Sequence, residues 1–135
     1  MKRIAGVAVM ATLMSLSFVG VATAHTVKHD STITFQVKKN GGDPDTFEGK
    51  VSSEADKCVA DREVLFYVVT PSGDEVIGET TTDADGNYSA PAYPEPGTFY
   101  AVVTRKVLRN TEEHTHVCKK EVSPERVVAA GPPAN

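Results

Sequence analysis

T-D-A-D-G-N-Y-S-A-P at residues 82–91 and P-G-T-F-Y-A-V-V at residues 96–103 are the stretches whose reading decides the fold. Asp85-Gly86 offers a backbone position with positive φ, which a tight turn demands and which glycine adopts without a Cβ clash. Tyr88 then opens a short strand, Pro96-Gly97 makes a second turn, and residues 99–103 read as another strand. Turn, strand, turn, strand is the order that two adjacent β-strands need.

Working outward, period-two alternation dominates. Thr32-Ile33-Thr34-Phe35-Gln36-Val37-Lys38 puts Ile33, Phe35 and Val37 on one face and polar residues on the other. Asn40-Gly41-Gly42-Asp43-Pro44 is a dense turn cluster. Residues 47–53 read as a second strand, and residues 54–61, carrying Cys58, as a loop. Residues 62–70 are the most apolar run after the N-terminal segment, rich in β-branched and aromatic side chains, and predict a central strand covered on most of both faces. Residues 75–82 follow as its partner, and Pro91 opens a proline-rich loop over residues 91–97. A strand is expected at 98–108, a polar loop at 109–116, a last strand at 122–129 and a disordered tail at 130–135. The fold expected is all-β, an antiparallel Ig-like or transthyretin-like β-sandwich of seven to eight strands spanning residues 25–129. Val64, Phe66, Val68, Tyr88, Tyr100 and Val102 are expected in its core.

These turn and strand motifs resemble the carboxypeptidase regulatory-like and CNA-B-like domains, which share a transthyretin-like, or prealbumin-like, sandwich. The F-x-G-x-V-x-S pattern at residues 47–53 is similar to the opening strand of the regulatory-like family, whose glycine allows close strand packing. The resemblance covers residues 47–128 and implies a non-catalytic module that binds or spaces. Hydroxyisourate hydrolase shares the fold and carries a Y-R-G-S motif near its end. The last residues here read A-A-G-P-P-A-N, so that activity is not carried over.

The N-terminal segment reads as a signal peptide over residues 1–24. Lys2 and Arg3 precede an apolar run at residues 4–21, and Ala22-Thr23-Ala24 fits the cleavage rule. A membrane anchor is the alternative, but Gly6, Thr12, Ser15, Ser17 and Gly20 dilute the run. Cleavage leaves His25 as the first of 111 remaining residues out of 135, enough for one core. Two of the 14 basic residues and none of the 18 acidic ones are lost, so 12 basic face 18 acidic residues and the net charge is −6. That balance argues against nucleic acid and against attachment to anionic lipid. A secreted or periplasmic location follows, with no membrane attachment after cleavage.

Cys58 and Cys118 are the two cysteines. In an exported chain an even count reads as a disulfide, with two free thiols or an intermolecular bridge as alternatives. A bridge closing a loop of this length stabilises by roughly 4 kcal/mol in chain-entropy terms.

Candidate chemistry is sparse. Asp83 and Asp85 alternate ahead of a glycine as in a cation loop. However, an EF-hand count from Asp83 puts Pro94 at the twelfth position, where a bidentate glutamate belongs. A hairpin turn explains the same residues. No G-x-S-x-G or H-E-x-x-H motif is present, and no enzymatic activity is expected. The four histidines are His25, His29, His114 and His116. A mature N-terminal His25 offers an amino group and an imidazole together, a chelate suited to copper. A joint copper site requires that the first strand bring His25 and His29 near His114 and His116. Two functions therefore compete: an exported binding module for a protein or glycan partner, contacting it through residues 40–44 or 109–116, and an extracytoplasmic copper-binding protein.

Overall fold

Alternating side chains turn into strands here because the inward-facing apolar positions find an opposing sheet, while Val76, Ile77, Val122 and Val127 stay exposed. The computed structural model describes residue 20 and residues 25–42, 44–110 and 114–130. The expected signal peptide, Gly20 apart, and residues 131–135 of the expected tail lie outside the described residues. In chain order the strands are β1 (His25–His29), β2 (Thr32–Ile33), β3 (Gln36–Lys38), β4 (Asp45–Ser52), β5 (Glu63–Val68), β6 (Glu75–Thr81), β7 (Asn87–Ala92), β8 (Gly97–Val103), β9 (Lys106–Asn110), β10 (His114–Cys118), β11 (Glu121–Val122) and β12 (Arg126–Val128). Among the described residues one 3-10 turn, Asp56–Cys58, interrupts them between β4 and β5.

Two antiparallel sheets enclose the core. In one, β4 is flanked by β2 and β3 on one side and β7 on the other. In the second the order is β11–β8–β5–β6, with β12 also on β8. Phe35 and Phe47 from the first sheet meet Phe66 and Phe99 from the second. Ring centroids stand 5.2 Å apart for Phe47–Phe66 and 5.6 Å for Phe47–Phe99. Val51, Val64, Ala101 and Val103 complete the buried interior. Each large apolar side chain buried there is worth about 1.5–3 kcal/mol. A third, smaller sheet of order β1–β10–β9 continues beyond the end of β8.

Several expected elements are redrawn. The run at 32–38 keeps one register on β4 but divides into β2 and β3. The division falls at Thr34, whose carbonyl accepts the Tyr88 hydroxyl instead of a ladder N–H. Gly49 makes this approach possible, since a Cβ there would overlap both the Thr34 carbonyl oxygen and the Tyr88 hydroxyl. The proline-rich loop starts later than expected, because β7 runs through Pro91 to Ala92. β7 is an edge strand paired only with β4, where a missing N–H is tolerated.

The expected strand at 98–108 is two strands in two different sheets, β8 and β9. The expected polar loop at 109–116 is instead the end of β9, the start of β10 and residues 111–113, which lie outside the described residues. Residues 122–129 likewise divide into β11 and β12, both on β8. Val102 is buried as expected, whereas Tyr100 is only half-buried and needs correcting as a core residue. Phe99, Ala101 and Val103 take the inter-sheet face of β8, so Tyr100 and Val102 lie on the opposite one. Tyr100 stacks there on Tyr67, with centroids 5.1 Å apart.

Candidate functional site

β1 reads H-T-V-K-H and β10 reads H-T-H-V-C, and in each strand the histidines fall on alternate residues. Period-two geometry therefore gathers His25, Val27 and His29 on one face of β1, and His114, His116 and Cys118 on one face of β10. The strands pair in parallel, with His25 opposite His114, Val27 opposite His116 and His29 opposite Cys118. Partners in a ladder share a face, so all four histidines stand on the same side of one small sheet. The His25 and His114 rings stack with centroids 6.3 Å apart, and those of His29 and His116 with centroids 5.3 Å apart. His114 and His116 are 6.5 Å apart along β10.

The closest approach is between nitrogens. His29 Nε2 and His116 Nδ1 are 3.0 Å apart, one ring donating its N–H to the other. Both rings are half-buried, while His25 and His114 are exposed. Lys28 lies on the other face of β1, so this strand brings no cation to the histidine side. Lys119, just beyond β10, is neutralised by Asp30. Among the described residues, no three histidine, cysteine or carboxylate side chains converge tightly enough to enclose a metal ion as they stand.

What fixes β1 against β10 is buried beneath them. Cys118 is bonded to Cys58 with Cα atoms 5.4 Å apart, and the Lys119 N–H donates to the His29 carbonyl at 2.9 Å. Beside the disulfide the Arg62 side chain is wholly buried. Its guanidinium donates to the carbonyls of Cys58 (2.6 Å), Thr104 (2.8 Å) and Lys119 (3.0 Å) and to Ser31 Oγ (3.0 Å). These four acceptors come from the β1–β2 connection, the 3-10 turn, the exit of β8 and the exit of β10. Burial pulls the Arg62 pKa down, yet a guanidinium keeps its charge, and carbonyl dipoles take the place of a carboxylate.

In sequence Arg62 reads as the first residue of a strand, which does not disclose this role. The available signal is a basic residue placed between a cysteine loop and the apolar run at residues 62–70.

Asp83 and Asp85 lie far from the histidines in the turn before β7. Asp83 Oδ1 accepts the N–H groups of Asp85 and Asn87, each at 2.9 Å, and the Gly86 N–H reaches the Asp83 carbonyl at 3.1 Å. Gly86 holds φ at 84°, and its carbonyl accepts from Val51 N–H. This carboxylate is occupied in closing a turn. In the residue 40–44 cluster, of which Asp43 lies outside the described residues, Asn40 Nδ2 donates to the Pro44 carbonyl and to Thr46 Oγ1 of β4, both at 3.0 Å.

No protein-family model, curated protein or solved structure matches this chain.

Proposed function

We propose that this chain is an exported, non-catalytic β-sandwich module, of the kind represented by the carboxypeptidase regulatory-like and CNA-B-like domains, and that its histidine face binds copper(II). The observation that carries the metal reading is the parallel register of β1 on β10, which sets His29 Nε2 3.0 Å from His116 Nδ1. Two nitrogens bound at a right angle to one ion, each by a bond of ~2.0 Å, stand ~2.8 Å apart. The proton between them moves to the other nitrogen of the donor ring, and small ring rotations then turn both lone pairs onto a shared point. His114, or His25 with an amino group exposed by cleavage after Ala24, supplies the further nitrogens of a tetragonal site, the geometry copper(II) prefers.

Export is supported by the Cys58–Cys118 disulfide and the N-terminal charge and hydropathy pattern. Among the described residues no helix is long and apolar enough to cross a membrane. A non-catalytic role is supported by the structural employment of the polar side chains that have defined partners. Asp83 closes a turn, Ser123 Oγ accepts the Ala101 N–H, and Asp45 pairs with Lys39.

The test is calorimetry and electron paramagnetic resonance with copper(II) alone, on the disulfide-bonded protein. One equivalent should bind with a nitrogen-rich tetragonal spectrum, and His29→Ala together with His116→Ala should weaken it by at least about ten-fold. Binding should weaken in acid, since protons compete for the imidazole nitrogens. A double variant that binds copper as the wild type does would dismiss the metal reading.

A further inference from the structure

At the opposite end of β5 and β8 from the histidines, where Val68 pairs with Phe99, the molecule has an opening. β6 and β7 share a turn but belong to different sheets. Near that turn they touch, with Thr80 Oγ1 donating to the Ser89 carbonyl at 3.2 Å. Farther along they diverge, and between them lies a cleft of about 640 Å³ that reaches Phe47, Phe66 and Phe99 of the core. Gly78 keeps the way to Phe66 open, because even a Cβ there would stand 3.5 Å from that ring. Ile77, 48 % exposed, and Tyr93, 73 % exposed, form the lip.

The cleft has a charge sign as well as an apolar floor. Its two ionisable carboxylates are Glu79 and Glu95, both exposed, and no lysine, arginine or histidine lines it. We propose that this cleft binds a small apolar cation. Its hydrocarbon body would lie toward the phenylalanines and its ammonium at the rim, between the two glutamates and the face of Tyr93. Carboxylates and an aromatic face are the groups that attract an ammonium, and the volume lies in the range of small-molecule sites. An added β-strand is the poorer occupant, since Pro91, Pro94 and Pro96 carry no N–H to pair with it. This site does not depend on the copper reading and uses none of its residues.

Decyltrimethylammonium and decyl sulfate, matched in chain length and opposite in charge, make the probe pair, titrated below their micelle concentrations by calorimetry. The ammonium should bind in one equivalent, at least about ten-fold more tightly than the sulfate. Backbone amide shifts in NMR should cluster at Ile77, Gly78, Tyr93 and Phe99. Gly78→Val, which fills the floor, should weaken the ammonium by about ten-fold. Glu79→Gln with Glu95→Gln, at exposed positions that leave folding intact, should bring the two probes within about three-fold. Equal affinity for both probes, an undiminished preference in the double glutamine variant, or shifts clustered elsewhere would overturn the proposal.

Discussion

Arg62 shows how much one side chain can organise. Its fork reaches three backbone carbonyls that no ladder satisfies, and it draws the Thr104 carbonyl away as the chain leaves β8 for β9. Among the described residues its Nε is the one buried side-chain nitrogen or oxygen without a partner. Removing the side chain strands buried acceptors, each costing about 1–3 kcal/mol, and leaves a cavity besides. Arg62→Ala should therefore destabilise the protein by at least about 3 kcal/mol in denaturant unfolding. Arg62→Lys should fall between, because a single ammonium cannot span the same acceptors. An Arg62→Ala variant within about 0.5 kcal/mol of wild type would deny the residue this role.

At the scale of the element, cross-strand pairing decides what each face does. Tyr67 and Tyr100 face each other across β5 and β8, and the Tyr100 hydroxyl donates to Asp74 Oδ2 at 2.7 Å. Burial, then the bond to and negative charge of Asp74, push the Tyr100 phenol up to about 12. The neutral phenol is thus favoured in the folded state. Its contribution to stability is complete below the ordinary phenol value of ~10 and is lost as pH rises toward 12. Unfolding measured across that alkaline window should show stability falling in the wild type and falling less in Tyr100→Phe. Burial also raises the Tyr88 phenol, so the variant should keep part of the slope. Equal slopes would mean that the Asp74 bond does not hold the proton.

For the whole molecule, the disulfide ties the small sheet to the sandwich. Cys118 ends β10 and Cys58 ends the 3-10 turn, 60 positions apart in sequence. Breaking the bridge frees a long loop and loosens the base on which β1 and β10 rest. Cys58→Ser with Cys118→Ser should cost about 2–5 kcal/mol in reversible unfolding. Amide exchange should rise first in β1 and β10, with β5 and β8 last. Uniform exchange throughout would show that the small sheet draws no particular support from the bridge.

Sequence by itself determined what repeats locally. Alternation gave the inward faces of β2 and β3, the Asp83–Gly86 segment gave its turn, and two cysteines gave their pairing. Each depends on residues a few positions apart, or on a choice with a single internal answer. The tertiary structure decided the rest, because strand partners are set by which distant edges remain open. The break between β8 and β9, the outward turn of Tyr100 and the burial of Arg62 follow from such partners. So does the parallel docking of β1 on β10: two histidine strands 85 or more residues apart in sequence become one face only when Cys118 and Lys119 hold them together.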